Sequence, residues 1–323
     1  MMKLVNRILD AVLYKIFGGN IKKQLKFLGS FYYVSFKEEA PSPLQIYCLD
    51  GKTYSCGFAD RLRGMITVYA YAKANNLPFK IYHREPFRLE DYLVPNCIDW
   101  RINDDEISYN ILYSNPIVMM DYTEGDRLKH LRKNRQHHFY ANINAISLIN
   151  RFYNKNYCYT DLYNELFKPS ASVEKELEPF KDYIKSGYIS VSFRFMQLMG
   201  DFEDVCGNTL PDIEKKELIE KCLGFIETLH TKHSEVKYIL LTTDSETFAD
   251  IAKDIPYIFV LPGKIGHIGF ISNRNVEMKM IMDFYMISKA KRAYMGYTGE
   301  MYKSHFAQSA AEISGIPYES IHF

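Results

Sequence analysis

The sequence runs to 323 residues, 47% hydrophobic and 24% charged, which is ample for two packed cores and far too apolar for a disordered chain. Forty basic residues against 39 acidic give a net charge of +1, without the basic excess of a duplex-binding protein, so no nucleic-acid partner is expected. Aromatic side chains are abundant, with 26 Tyr and 21 Phe beside one Trp, and serve equally to fill a core or to wall a ligand.

Residues 1–30 predict a basic amphipathic helix. Leu4, Ile8, Leu9, Val12, Leu13 and Ile16 share one helical face, and Lys3, Arg7, Lys15, Lys22, Lys23 and Lys26 outnumber Asp10. The charges interrupt any signal-peptide pattern, and no apolar run reaches membrane-spanning length. Such a helix commonly packs on its own domain or another subunit. Its charge also permits peripheral contact with an anionic membrane through residues 1–26. Cys48, Cys56, Cys97, Cys158, Cys206 and Cys222 are scattered without a disulfide framework, which points to free thiols in a reducing, cytoplasmic compartment.

An N-terminal α/β domain is expected over 31–178. A strand at 44–49 leads through GKTYSCGFAD into a helix from Arg61 to Asn76, then to a strand at 79–83. Further strands are expected at 107–113 and 116–122, a basic helical stretch over 127–153, and mostly helix over 164–185. His137, His138, His230 and His233 are expected at the surface. A second α/β domain is expected over 179–323. Strands at 188–195, 237–243, 257–262 and 292–297 alternate with helices from 213, 245, 276 and 301. Ligands of such sheets sit at the carboxyl ends of strands, beside helix N-termini, and two such domains imply a cleft.

Four segments hold the candidate chemistry. Gly57, Phe58, Ala59, Asp60 and Arg61 join a strand to a helix, and two arginines in that first turn oppose the helix dipole. They are neither a Walker sequence nor G-x-G-x-x-G. Arg194 ends an apolar strand, where it either bridges to Asp201 or presents its planar fork to a phosphate. Asp244 or Ser245 caps a helix or contacts a nucleotide. Ser304, His305 and Phe306 are expected in the first turns of the last helix. No histidine set has metal-ligand spacing, and no serine sits on a G-x-S-x-G elbow.

GFADRLRGMITVYAYAKANNLPFKIY, ISVSFRFMQLMGDFED, YILLTTDSETFADIAK and the segment 280–318 together resemble the fucosyltransferase superfamily, in its order of signatures. The resemblance covers roughly 44–83 and 186–320; residues 84–185 do not align. It implies a GT-B-like α/β fold of two Rossmann-type domains facing a cleft, the first on the acceptor side and the second on the nucleotide-sugar side. It implies inverting, metal-independent transfer from GDP-fucose to a glycan or lipid-linked glycan, with no cofactor. Arg194 would then hold the departing diphosphate. Asp244, Ser245, Ser304, His305, Phe306, Gly57, Phe58 and Arg61 would bind the donor, and Asp60, Asp201 or Asp121 would offer a base. The chain departs from the pattern at Ser192, where the superfamily has histidine, and in placing Gly200-Asp201 six residues after Arg194. These departures leave open another nucleotide-sugar donor, or a catalytically silent relative that binds a glycan or protein.

Overall fold

Parallel strands buried on both faces organise each half of the chain. They are seen in a computed structural model that describes Gly29 and residues 31–52, 57–120, 122–202, 208–266 and 273–323. The chain divides into two units. The first takes the described residues up to 52, Asp60–Leu89 and Pro95–Leu166; the second takes Gly57–Ala59, Glu90–Val94 and Phe167–Phe323. The helix expected over 1–30 lies outside the described residues, apart from Gly29. Among the described residues no helix is long and apolar enough to cross a membrane. Cys48, Cys97, Cys158 and Cys222 are free thiols, and Cys56 and Cys206 lie outside the described residues.

In the first half, β1 (Gln45–Leu49), α1 (Phe58–Ala74) and β2 (Phe79–His83) form the expected strand, helix and strand. β3 (Leu93–Pro95), β4 (Ser114–Met119), β5 (Gln136–Ala141), α2 (Ile146–Tyr153) and α3 (Tyr159–Leu166) follow. The four-stranded sheet has the order β2-β1-β5-β4, with every neighbour parallel. α1 lies so close on this sheet that a Cβ at Gly64 would stand 1.9 Å from the Ala141 carbonyl oxygen and 2.8 Å from the Tyr47 ring. Close packing alone explains this glycine.

Two expectations fail in this half. Residues 107–113 are not a strand. They turn at Asn110, whose carbonyl accepts the amides of Tyr113 and Ser114 at 2.9 Å and whose side chain donates to the Ser35 carbonyl at 2.6 Å. The helix expected over 127–153 is a 3-10 segment ending at His130, then β5, then α2. QHHFYA has the polarity of a solvated helix, yet all six residues are buried. Their polar groups satisfy one another: His137 Nδ1 meets Gln45 Oε1 at 3.1 Å, His138 Nε2 meets Gln136 Oε1 at 2.8 Å, and His138 Nδ1 meets Tyr32 OH at 2.7 Å. His137 and His138 are therefore core residues, not surface ones.

The second half continues with β6 (Phe167–Pro169), α4 (Ala171–Leu177), α5 (Lys181–Ser186), β7 (Tyr188–Phe193), α6 (Asp212–Lys232), β8 (Tyr238–Thr243), α7 (Glu246–Ala252), β9 (Ile258–Phe259), α8 (Arg274–Ser288), β10 (Arg292–Tyr297), α9 (Phe306–Ser314) and β11 (Tyr318–His322). β3 and β6 make a two-stranded pair. The main sheet has the order β11-β10-β7-β8-β9 and is parallel throughout. From β7 the chain steps to β8 and β9 on one side, then crosses to β10 and β11 on the other. The order therefore reverses between β7 and β10, and crevices at carboxyl ends open at such a point. The core holds Val191, Phe193, Phe195, Phe225, Phe248 and Tyr294. Three details differ from expectation. The strand at 257–262 shrinks to two residues, β11 is additional, and the last helix begins at Phe306, so Ser304 and His305 precede it.

Replacing Gly64 by Ala should cost about 3 kcal/mol in urea unfolding, because backbone rather than a flexible side chain blocks the added methyl. A neutral substitution would contradict the packing. Burial pushes His83 and His138 down to about 3 and His137 to about 4. The unfolded chain then binds protons that the folded chain refuses, so stability is full above pH 6.5 and falls as pH drops towards 4. At pH 5 the expected loss is about 2 kcal/mol per histidine relative to pH 7.5. Equal unfolding free energies at the two pH values would contradict this burial.

Candidate functional site

β7 ends on Phe193, and the next residue is Arg194. Its Nε stands 3.2 Å from Asp244 Oδ2, just past the end of neighbouring β8. Asp244 also accepts the backbone amides of Phe195 at 2.7 Å and Met196 at 2.8 Å. Met196 holds these positions at a φ of +56°, a left-handed conformation that a non-glycine residue adopts only under constraint. The Phe202 ring lies under the guanidinium, 4.5 Å from its centre. Burial raises the Asp244 carboxyl above its ordinary range, while Arg194 and the two amides pull it down. A carboxylate, two amides and a guanidinium thus fix the turn and aim the arginine.

The bridge from Arg194 to Asp201 does not form; Asp244 takes that place. Asp201 turns to α7 instead, accepting the Ser245 hydroxyl at 2.8 Å and the Thr247 amide at 2.7 Å. Ser245 is the N-cap of α7, accepting the Phe248 amide at 3.1 Å. Asp201 places its second oxygen, Oδ1, in a buried position with no hydrogen-bond partner among the described residues. Gly200, at a φ of +78°, makes the bend that brings Asp201 there. The longer loop after Arg194 is two tight turns, Leu198 donating to Phe195 and Gly200 to Gln197. Glu203 and Asp204 lie outside the described residues.

The loop from β10 to α9 closes the same edge. The Tyr302 amide donates to the Arg194 carbonyl at 3.0 Å, and the Ser304 hydroxyl accepts the Phe306 amide at 3.2 Å. His305 is exposed at the N-cap of α9. Phe306 and buried Phe58 both meet Phe284 of α8 edge-on, each with centroids 5.2 Å apart, and Gly57 precedes Phe58. Arg194, Asp201, Asp244, Ser245 and the 298–306 loop are therefore gathered at the carboxyl ends of β7, β8 and β10. Phe58 and Phe306 meet through a shared ring.

Asp60 and Arg61 belong to the first unit. Asp60 pairs with Arg63 at 2.9 Å and leaves 37% of its side chain exposed. Arg61 is buried at 1% exposure, with its guanidinium 5.8 Å from the Phe87 ring. Its charge helps lower His83, after burial itself. Asp121 lies outside the described residues. Among the described residues no group of three or more His, Cys, Asp and Glu could hold a metal ion.

Sequence reasoning missed two features of this site. Phe202 under Arg194 and the left-handed Met196 leave no mark in the sequence, since Gly or Asn is the usual signal for that backbone. It also passed over a buried pair on α8, with Lys279 Nζ 2.6 Å from Asp283 Oδ1, for which the i,i+4 spacing was a usable sign.

Comparison with known proteins adds the fold. No family model and no curated sequence matches the chain. Among solved structures, a mutant of Arabidopsis thaliana FUT1 in complex with GDP aligns with a TM-score of 0.56 at 10% identity, over 99% of this chain and 78% of that one. The α-1,6-fucosyltransferase NodZ from Bradyrhizobium, co-crystallized with GDP, aligns at 0.52 and 13% identity over 85% of this chain and 92% of that one. The fold is shared with fucosyltransferases. It is the GT-B-like α/β fold that the resemblance implied.

Replacing Asp244 by Ala strands two amides and a guanidinium, at an expected cost of about 3 kcal/mol in urea unfolding. Asp244→Asn keeps one acceptor and should lose less. A loss below about 1 kcal/mol for the alanine variant would contradict the role given to Asp244.

Proposed function

We propose that the protein is a glycosyltransferase that moves a sugar, fucose in the first instance, from a GDP-sugar to a glycan with inversion and without a metal. The observation that carries this reading is Arg194, held by Asp244 at the carboxyl end of β7 where the strand order reverses. The shared fold supports it, since both neighbouring structures hold GDP. As the bond between the anomeric carbon and the phosphate oxygen breaks, its electron pair moves onto the leaving diphosphate. A guanidinium fixed in advance stabilises that charge, and the N-terminus of α7 adds a positive dipole. Asp244 holds the arginine, and Ser245, held by Asp201, shapes the turn. Ser304, His305 and Phe306 border the same site, with Phe306 and Phe58 forming an aromatic wall and Gly57 beside Phe58; Arg61, buried in the first unit, is given no part in donor binding.

The acceptor hydroxyl must lose a proton. Of the two candidate carboxylates among the described residues, Asp201 caps α7, whereas Asp60 is partly exposed and pairs with Arg63. Asp60 stays the candidate base of the first unit and Asp201 that of the second. Peripheral membrane contact through residues 1–26 and a cytoplasmic location belong to the same proposal; the first rests on the charge of that segment and the second on the scattered cysteines.

A second reading, transfer from another nucleotide sugar, is favoured by Ser192. It is buried and bonded to Thr242 Oγ1 at 2.6 Å across the β7–β8 ladder, so it cannot do the work of an imidazole. A panel of GDP-fucose, GDP-mannose and UDP-sugars separates the two readings.

Arg194→Ala should abolish transfer and weaken GDP binding at least tenfold by calorimetry, about 1.4 kcal/mol. The double variant Arg194→Ala/Asp244→Asn guards against a stranded carboxylate and should show the same losses while still folding. Full activity with unchanged GDP affinity in either variant would overturn the assignment.

A further inference from the structure

The chain is almost neutral, yet residues 125–155 hold seven Lys and Arg against a single acidic residue, Asp126. Arg127 and Arg135 spend donors on backbone, at the Val118 and Leu112 carbonyls. Lys129, Arg132, Lys133, Arg151 and Lys155 are exposed, and none of them enters an ion pair among the described residues. A few exposed lysines and arginines elsewhere pair with a carboxylate, as in Arg101–Asp99, Lys181–Glu178 and Lys253–Asp250. What sets this segment apart is its density of charge, seven basic residues against one acidic with no ion pair at the exposed five among the described residues.

The cations are also arranged. The 3-10 segment Tyr122–His130 packs on α2, with Tyr153 OH donating to the Leu128 carbonyl at 2.9 Å. The Phe152 ring then carries two of them, Lys129 Nζ at 3.9 Å and Arg151 Cζ at 5.3 Å from its centroid. One ring thus ties two chain segments into a single basic face. Exposed Asn134, Asn154 and Asn156 add amide donors and acceptors. No large hydrophobic side chain is exposed between Ile111 and Ile213 among the described residues, so this face has nothing to insert into a lipid layer. Charge, amides and the lack of apolar anchors fit a hydrophilic polyanion with hydrogen-bonding groups between its charges.

We propose that this face of the first unit, built on Lys129, Arg132, Lys133 and Arg151, binds an acidic glycan. Its identification as the acceptor rests on the transferase reading above; the binding itself does not.

The test uses the full chain and oligogalacturonate as the acidic probe, with malto-oligosaccharide as the neutral control and phosphatidylcholine vesicles containing 30% phosphatidylglycerol as the lipid control. Calorimetry at 50 and 200 mM salt should show oligogalacturonate binding that weakens with salt, and none to the neutral sugar. Arg132→Glu/Lys133→Glu, two exposed positions without described partners, should weaken that binding at least tenfold and leave GDP affinity unchanged. Lys129→Gln/Arg151→Gln, a milder change, should act in the same direction. Equal affinity of both double variants and the parent, equal binding of the neutral sugar, or binding to the vesicles alone would overturn the proposal. Loss of GDP binding in the parent chain would sink the transferase reading and leave the glycan result standing.

Discussion

A buried carboxylate with three donors around it sets the geometry of the second unit. Asp244 sits where β8 ends and gathers the guanidinium of Arg194 with the amides of Phe195 and Met196. Each donor alone would be worth little. Together they satisfy a charge that burial otherwise disfavours, and they compel Met196 into a left-handed turn. That turn starts the loop that ends on Gly200 and Asp201, and Asp201 in turn caps α7. The end of one strand, the loop after it and the next helix are therefore one hydrogen-bonded structure. A bidentate reader of phosphate needs such fixation, because an arginine left free would lose rotamer entropy on every binding event.

The parts legible in the sequence were those where pattern and burial agree. The strands at 44–49, 188–195, 237–243 and 292–297 read as apolar runs because their sheets are covered on both faces, and FKIYH at 79–83 reads by its alternation. Arg194 and Asp244 were both marked as strand-end residues, but the partner the sequence offered for the arginine was Asp201, whereas the structure gives Asp244. Only strand order decides between them: β7 and β8 are neighbours, so Phe193 pairs with Thr243 and the next residues meet. β5 was illegible for the opposite reason. Its Gln136, His137 and His138 are polar; the histidines' partners Gln45 and Tyr32 lie more than ninety residues away, and Gln136 reaches Glu106 and Ser108 at 30 and 28 residues' separation. A polar core of this kind looks like surface until the sheet is assembled.

The aromatic richness divides in the same way. Phe193, Phe195, Phe225 and Phe248 fill the second core, and Phe225 stacks on Phe323 at 4.4 Å. These need no ligand. Phe202, Phe306 and Phe58 stand at the candidate site, one against a guanidinium and two against Phe284. Phe152 has a third use, holding two cations on the basic face. The same side chain thus packs, walls or positions according to which charged groups its neighbours carry.

The central claim is that the carboxyl ends of β7, β8 and β10 form one site for a nucleoside diphosphate. Hydrogen exchange with and without GDP tests it most directly. The account predicts slowed exchange in three separate segments, 194–202, 243–248 and 298–306, in the presence of GDP. Protection absent from all three, or confined to segments away from these strand ends, would contradict it.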